Sequence, residues 1–296
     1  MRIDVYQKVT DIIVAQLEKG VRPWFQPWKV DHAAGRITKP LRGNGVPYRG
    51  INIIMLWSAA VEKDYSAPIW LTFKQAHELG AHVRKGEHGS LVVYANSITR
   101  TEIDEETSEE TTQEIPFMKG YTVFNVEQIE GLPAHFYAPA ETVLDPVQRI
   151  EHAERFFADT KAEIRHGGNR AYYSLTTDHI QMPPFETFRD TAAYYGTLAH
   201  ESAHWTRHPS RLGRDFGRKK WGDEGYAQEE LVAEITAAYL SADLGLAPEP
   251  CEEHAAYLAG WLEVLKADKR AIFTFAAHAQ RAADYLQGLQ PAPAEG

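Results

Sequence analysis

A short motif in the C-terminal half constrains the fold of this chain more than any other feature. It is an HExxH sequence, with His200, Glu201 and His204 at the defining positions, and the apolar spacing around it predicts a helix over residues 194–205. Helical residues i and i+4 share one face, so the two imidazoles can converge on one metal ion. Glu201 is rotated from that face and can reach a water molecule beside the metal. The motif predicts half of a divalent-metal site.

A catalytic zinc ion keeps three protein ligands and one open position, so a third ligand is required. The helix predicted over residues 227–244 carries Glu229 and Glu230, which lie 25 and 26 residues after His204, as in gluzincin-like sites. Adjacent helical residues point about 100° apart, so only one of the two can ligate, and periodicity does not separate them. Glu234 is a candidate acceptor behind a ligand histidine. The alternative is an exposed acidic helix start that is favoured by the helix dipole.

Two imidazoles and one carboxylate are a ligand set typical of zinc, although other divalent transition metals accept the same set. Zinc makes water more acidic and polarises a carbonyl group. Glu201 would accept the proton of the water and pass it to the leaving amine. The predicted chemistry is the hydrolysis of peptide bonds.

Length and cysteine content set broad limits on the protein. A chain of 296 residues with 44% hydrophobic and 24% charged residues is long enough for two globular domains. The single cysteine, Cys251, cannot form an intrachain disulfide, and no apolar stretch has the length of a signal peptide or a membrane span. These features predict a cytoplasmic protein that does not enter a membrane.

The charge is distributed unevenly along the chain. The formal net charge is −10, but residues 1–100 hold 14 Lys and Arg against 8 Asp and Glu, a net of +6. Residues 101–296 hold 17 against 33, a net of −16. Such an asymmetry predicts a nucleic-acid surface in the N-terminal part, joined to an acidic remainder.

Aromatic and basic residues alternate in the proline- and glycine-rich segment at 21–50. Aromatic rings stack on unpaired bases and basic side chains follow phosphates, which is a pattern typical of single-stranded DNA binding without sequence preference. The competing interpretation is that the rings fill the core. The candidate DNA-binding residues are Arg22, Trp24, Trp28, Lys29, Arg36, Lys39, Arg42, Tyr48, Arg49, Lys74, Arg84 and Lys85.

The order of predicted elements indicates an α+β protein. An α+β single-stranded-DNA-binding domain is expected over residues 1–135, a proline-marked linker over 136–146, and a helix-rich gluzincin-like metallopeptidase domain with a small sheet over 147–296. Residues 102–114 contain seven acids and no Lys or Arg, between two strand-like stretches. They are predicted to form a long, solvated hairpin loop.

Several long motifs resemble the ArdC antirestriction family. In the N-terminal half these are PYRGINIIMLW at 47–57 and WLTFKQAHELGAHVRKG at 70–86. In the C-terminal half they are DHIQMP at 178–183, LAHESAHW at 198–205, YAQEELVAE at 226–234 and WLEVLK at 261–266. Together the motifs span nearly the whole chain.

The resemblance implies a plasmid-encoded protein that binds single-stranded DNA and protects incoming conjugative DNA from type I restriction. It also implies a zincin-like metallopeptidase domain, whose zinc site falls on His200, Glu201 and His204, with Glu229 or Glu230 as third ligand. Restriction-system subunits or other DNA-bound proteins would be its substrates. Two alternatives remain open. One is a DNA-coating antirestriction protein with a vestigial metal site, and the other is a protease acting on DNA-bound proteins.

Overall fold

The structure is a computed structural model that describes residues 4–24, 39–103, 110–137, 146–217, 224–246 and 257–292. Some predicted features lie outside these ranges. They are the DNA-binding candidates Trp28, Lys29 and Arg36, the single Cys251, the hairpin tip at 104–109 and most of the predicted linker.

The N-terminal half combines short helices with a mixed sheet. Two of its helices begin where a side chain supplies a cap: the side chain of Asp4 accepts a hydrogen bond from the backbone of Gln7, and Thr72 forms a capping box with Gln75. In chain order, the elements are α1 (Val5–Glu18), β1 (Leu41–Arg42), α2 (Ile51–Glu62), β2 (Ile69–Thr72), α3 (Phe73–Glu78), β3 (His82–Val83), β4 (Ser90–Ile103), β5 (Glu110–Asn125) and β6 (Ile129–Glu130).

The larger sheet has the order β1-β2-β5-β4. Strands β1 and β2 are parallel, whereas the β2–β5 and β4–β5 pairs are antiparallel. Strands β3 and β6 form a separate antiparallel pair. The long β4–β5 hairpin is therefore the outer part of the larger sheet, with α2 packed against β4.

The hairpin corrects the prediction of a long loop at 102–114. Strand pairing continues without interruption from Ser90–Val123 to Ile103–Glu110, so the paired strands take up most of the acidic segment. The reason is that β-branched threonine and isoleucine residues are interspersed among the acids there, and such residues favour a pleated strand even when their neighbours are charged.

The C-terminal half is helical apart from a three-stranded sheet of order β7-β9-β8, in which β7 is parallel and β8 antiparallel to β9. The predicted strand at 171–175 is confirmed as β8, whereas β7 and β9 were not predicted. The elements are α4 (Pro146–Asp159), β7 (Glu163–His166), β8 (Tyr172–Ser174), β9 (His179–Met182), α5 (Thr191–Trp205), α6 (Glu224–Leu244), α7 (Leu258–Ala267) and α8 (Ala271–Gly288).

The two halves share one hydrophobic core. Helix α1 packs against α7, and α2 packs against α8. The ring of Trp57 on α2 lies 6.1 Å from that of Tyr239 on α6, whose hydroxyl donates a hydrogen bond to the carbonyl of Gly50 (2.8 Å). The domain boundary near residues 136–146 stays a prediction, but the two halves are packed together on either side of it.

The fold is a mixed α and β structure, in agreement with the predicted class. Across the described ranges, the helices are too short or too polar to cross a bilayer.

Candidate functional site

Helix α5 presents the HExxH motif toward α6. It begins at Thr191 because the side chain of Asp190 accepts a hydrogen bond from the backbone N–H of Ala193 (2.7 Å). Its apolar side, which includes Leu198, is buried in the core, and the motif histidines lie on the side that contacts α6. The predicted helix is confirmed, with a start three residues earlier than expected.

The two imidazoles converge with one carboxylate of α6. The Nε2 atoms of His200 and His204 are 3.2 Å apart, and the Glu230 carboxylate lies 3.3 Å and 3.5 Å from them. Of the two glutamates that the sequence left open, Glu230 is the one beside both Nε2 atoms, and these three residues form a compact group of donor atoms. Two imidazole nitrogens and a carboxylate oxygen fit Zn²⁺ or another divalent transition metal.

Glu229 has a different place, behind His204. Its Oε1 atom lies 3.1 Å from His204 Nδ1, and because a carboxylate only accepts, the ring nitrogen is the donor. Arg214 holds the same carboxylate through two hydrogen bonds, of 2.8 Å from Nε and 2.7 Å from Nη2. Burial alone would raise the pKa of Glu229, but Arg214 and His204 outweigh it and lower that pKa to about 2. This carboxylate orients a histidine and is not part of the donor group.

Glu234 occupies the equivalent position behind His200. Its Oε1 atom lies 3.4 Å from His200 Nδ1, and its Oε2 atom lies 3.5 Å from Nη1 of Arg22. Both histidines are thus backed by a carboxylate at Nδ1, which leaves their Nε2 atoms directed at each other and at Glu230.

The carboxylates set the charge of the centre. Burial alone would lower the pKa of His204, but Glu230 and Glu229 outweigh it and raise that pKa to about 9. Burial alone would raise the pKa of Glu230, but His204 and His200 outweigh it and hold that pKa well below its usual range. The carboxylates of Glu229 and Glu230 are therefore ionised at neutral pH.

Glu201 is a buried carboxyl group next to the histidines. Burial raises its pKa, while His200, His204 and a hydrogen bond from the backbone of Tyr173 act in the opposite direction. Tyr173 lies on β8, at the edge of the small sheet, so this strand helps to fix the position of the acid. A carboxyl group with a raised pKa beside a metal-binding cluster is suited to accept a proton and to return it.

Arg214 is a site residue that the sequence did not identify. It is buried and also donates hydrogen bonds to the carbonyl of Ala203 (3.0 Å) and to Thr206 Oγ1 (3.1 Å). It lies in the turn after α5, where no periodic pattern marks it. The sequence pointed to such a residue only indirectly. The adjacent acids Glu229 and Glu230, once buried, need more than one cationic partner.

The candidate DNA-binding residues have mixed surroundings. Three of the basic ones form ion pairs with acids of the C-terminal half: Arg22 with Glu234, Lys39 with Asp243, and Arg49 with Asp284. Two others pair within the N-terminal half, Lys74 with Glu78 and Arg84 with Glu87. Arg42 and Lys85 are exposed.

Trp24 and Tyr48 are corrections to the predicted DNA surface. Trp24 is 1% exposed, and its ring lies edge-on to that of Trp261, with centroids 5.6 Å apart. Tyr48 is also buried, with the guanidinium of Arg42 over its ring. Trp24 is covered because α1 and the following turn pack against α7, and Tyr48 is buried in the same core, so neither ring is open to a base.

Replacement of Trp24 by alanine is expected to destabilise the fold by about 3–5 kcal/mol, because it removes a large ring from the shared core. The measurement is chemical or thermal unfolding of the full chain. Replacement by phenylalanine is the matched control, which keeps an aromatic ring in the same pocket. A Trp24→Ala variant with wild-type stability and weakened DNA binding would contradict this assignment and show that Trp24 belongs to the DNA surface.

Two family models match this chain. The N-terminal domain of anti-restriction factor ArdC matches residues 3–124, and a zincin-like metallopeptidase domain matches residues 151–278. A metal-free crystal structure of the antirestriction ArdC protein from the R388 plasmid has a TM-score of 0.81 and 49% sequence identity. The match covers 97% of this chain and 98% of that one. The chain belongs to the ArdC antirestriction family.

Two further relatives extend the comparison. The Mn(II)-bound structure of the same ArdC protein has a TM-score of 0.79 and 47% identity, with coverage of 97% and 98%. An uncharacterized protein y4eC of Sinorhizobium fredii is 44% identical over 292 residues, which are 97% of this chain and 92% of that protein. The HExxH helix and α6 both lie within the zincin-like region of this ArdC-family chain.

The ArdC-type N-terminal domain exposes aromatic rings that the sequence analysis did not select. Tyr94 on β4 is 49% exposed and Tyr121 on β5 is 41% exposed, with ring centroids 6.5 Å apart. Half-buried Phe117 lies 6.2 Å from Tyr94, and the amino group of Lys119 lies 5.1 Å from the Tyr121 ring. The sequence could have shown this surface through the spacing of Phe117, Lys119 and Tyr121, because every second residue of a strand faces the same side.

Proposed function

We propose that this chain is an antirestriction protein that binds single-stranded DNA through its N-terminal domain and hydrolyses peptide bonds at a metal centre in its C-terminal domain. Its setting would be the cytoplasm of a cell that receives a conjugative plasmid, where it would protect the incoming DNA from type I restriction. The observation that carries the enzymatic part is the convergence of His200, His204 and Glu230, with Glu201 beside them.

The proposed ligands are His200 Nε2, His204 Nε2 and a carboxylate oxygen of Glu230. Zinc is the proposed ion because this set is typical of zinc peptidases, and manganese is the alternative because a related ArdC protein has an Mn(II)-bound structure. When bound, the ion supplies Lewis-acid polarisation of the scissile carbonyl and lowers the pKa of water.

The protein's own contribution to the reaction centres on Glu201. Its carboxylate accepts the proton of the attacking water molecule and then donates that proton to the leaving amine nitrogen. The raised pKa of Glu201 favours the first step, since a stronger base takes the proton from water more readily. Glu229 and Glu234 keep the two imidazoles in place during both steps.

The exposed face of the β4–β5 hairpin supports the proposed binding of single-stranded DNA. Tyr94, Phe117 and Tyr121 offer ring surfaces on which bases can stack, and Lys119 lies beside them to contact phosphate. Glu102 on β4 and Glu110 and Glu114 on β5 lie further along the same hairpin. Because they repel phosphate, we propose that DNA crosses the base of the hairpin and does not run along it.

Alanine at Tyr94 or Tyr121 is expected to weaken binding of a labelled single-stranded oligonucleotide by roughly 5- to 150-fold, equivalent to about 1–3 kcal/mol for one stacked base. Fluorescence anisotropy with the full chain measures this. Wild-type affinity should also fall as salt rises, because phosphate contacts release counterions.

The matched control is Tyr172→Ala, which removes an equally exposed tyrosine from the other half of the chain. It should bind the oligonucleotide as the wild type does. Unchanged binding by both hairpin variants would place the DNA surface elsewhere in the N-terminal domain.

A conjugation assay separates the proposed function from its two alternatives. A plasmid with type I restriction sites is transferred into a restricting recipient that carries the wild type, Glu201→Gln or the Tyr94→Ala/Tyr121→Ala double variant. We expect both variants to lose protection. Full protection by Glu201→Gln would favour a DNA-coating protein whose metal site is vestigial, and cleavage of unrelated DNA-bound proteins without protection would favour a general protease.

A further inference from the structure

The two metal-facing histidines are supported by parallel chains of contacts. Behind His204, Oε1 of Glu229 lies 3.1 Å from Nδ1 of the ring and 2.7 Å from Nη2 of Arg214. Behind His200, Oε1 of Glu234 lies 3.4 Å from Nδ1 of the ring, and its Oε2 lies 3.5 Å from Nη1 of Arg22. In each chain a buried carboxylate contacts both a histidine ring and an arginine. Oε1 of Glu229 contacts both of its partners, whereas Glu234 contacts the ring through Oε1 and Arg22 through Oε2.

The two arginines come from different halves of the molecule. Arg214 follows α5 within the zincin-like region, whereas Arg22 follows α1 in the region that matches the ArdC N-terminal domain. The segment that carries Arg22 is anchored close to the centre. Trp24 packs on Trp261, whose indole N–H donates a hydrogen bond to the carbonyl of Ala227 at the start of α6 (3.1 Å).

A carboxylate buried this deeply needs a cationic partner, because the energetic cost of desolvating its charge is several kcal/mol. Glu234 is only 6% exposed. Removal of Arg22 takes away a positive charge that contacts Oε2 of Glu234, so the balance of attraction on this carboxylate shifts toward the histidine and the metal ion. That shift would rotate the ring of His200 away from the geometry in which its Nε2 atom faces Glu230.

We propose that Arg22 is a positioning residue of the metal centre, which the N-terminal domain supplies to hold Glu234 against His200, as Arg214 holds Glu229 against His204. The proposal rests on the proposed metal centre. It implies that the zincin-like region does not form the complete site without the N-terminal domain.

The test measures zinc affinity by competition with a chromophoric chelator in the full-length protein. Arg22→Met keeps most of the aliphatic length and removes the charge, and we expect it to weaken zinc binding by roughly 10- to 100-fold, as is usual for residues behind a ligand. Arg22→Lys should recover part of the loss because it restores a cation. The double variant Arg22→Met/Glu234→Gln should bind zinc no more weakly than Glu234→Gln alone, since both residues act through one contact.

Lys269→Met is the matched control. It removes another ion pair between the two halves, with Asp4 at the opposite end of α1. Zinc affinity should be unchanged in this variant, and its thermal stability without metal shows how much a lost pair between the halves costs by itself. If Arg22→Met loses as much stability as Lys269→Met but binds zinc ten times more weakly than that control, the loss of zinc affinity results from a change at the metal centre.

Wild-type zinc affinity in Arg22→Met would overturn the inference and leave the proposed function standing. Independent, additive effects of Arg22→Met and Glu234→Gln would also overturn it, because the arginine would then not act through that carboxylate. A wild-type chain that does not bind zinc or manganese would overturn the proposed metal centre, and this inference with it.

Discussion

Replacement of Glu201 by glutamine is expected to lower peptidase turnover by roughly 10²- to 10⁴-fold, because the amide accepts no proton from the attacking water. The side chain keeps nearly the same shape, so the core around α5 should be undisturbed. Since Glu201 is not among the three grouped donor residues, metal content should stay at the wild-type value. Cleavage of a peptide library, followed by mass spectrometry, measures the first effect, and elemental analysis measures the second.

The control for this variant is Glu186→Gln, which changes an exposed acid in the segment that leads to α5. It should retain full turnover. Equal turnover in the wild type and in Glu201→Gln would show that another group serves as the base, and loss of metal from Glu201→Gln would assign Glu201 to the ligand set.

Alanine at Glu230 is expected to abolish stoichiometric metal binding, a larger effect than the 10- to 100-fold loss typical of residues behind a ligand. At a zinc concentration of 100 times Kd, the wild type should gain about 2.7 kcal/mol of stability from the ion. Glu230→Ala should gain almost none at the same concentration. Thermal unfolding with and without zinc, together with elemental analysis, provides the measurement.

The comparison with Glu229→Ala tests the assignment of the two neighbouring acids. That variant leaves Arg214 as an unpaired buried cation, so we expect a strong loss of stability but retention of some metal. Glu163→Ala, at an exposed position on β7, controls for the loss of a negative charge. Full metal content in Glu230→Ala and none in Glu229→Ala would reverse the assignment.

Local patterns were sufficient to predict the helices that build the proposed metal centre. The spacing of His200 and His204 is a property of any α-helix, and capping and apolar periodicity act over only a few residues. The choice between Glu229 and Glu230 required the fold. Both lie on a helix that is buried on most sides, and the presence of Arg214 near one of them results from how the turn after α5 packs.

The proposed DNA surface was harder to predict for a related reason. Trp24 is in a loop rich in proline and basic residues, and the sequence does not show that α7 covers it. Tyr94 and Tyr121 were passed over because only the register of β4 against β5 brings their rings together. Composition marked the N-terminal half as rich in aromatic and basic residues but did not separate buried rings from exposed ones.

The contacts of Arg22 and Trp24 beside the proposed metal centre have a consequence for recombination between family members. A genetic crossover in the segment between the two halves would combine Arg22 and Trp24 from one parent with Glu234 and Trp261 from the other. Such a chimera of two family members would retain its metal only if these partners were compatible. Natural recombination and laboratory shuffling should therefore preserve the two halves as a matched pair, even though each corresponds to a separate family model.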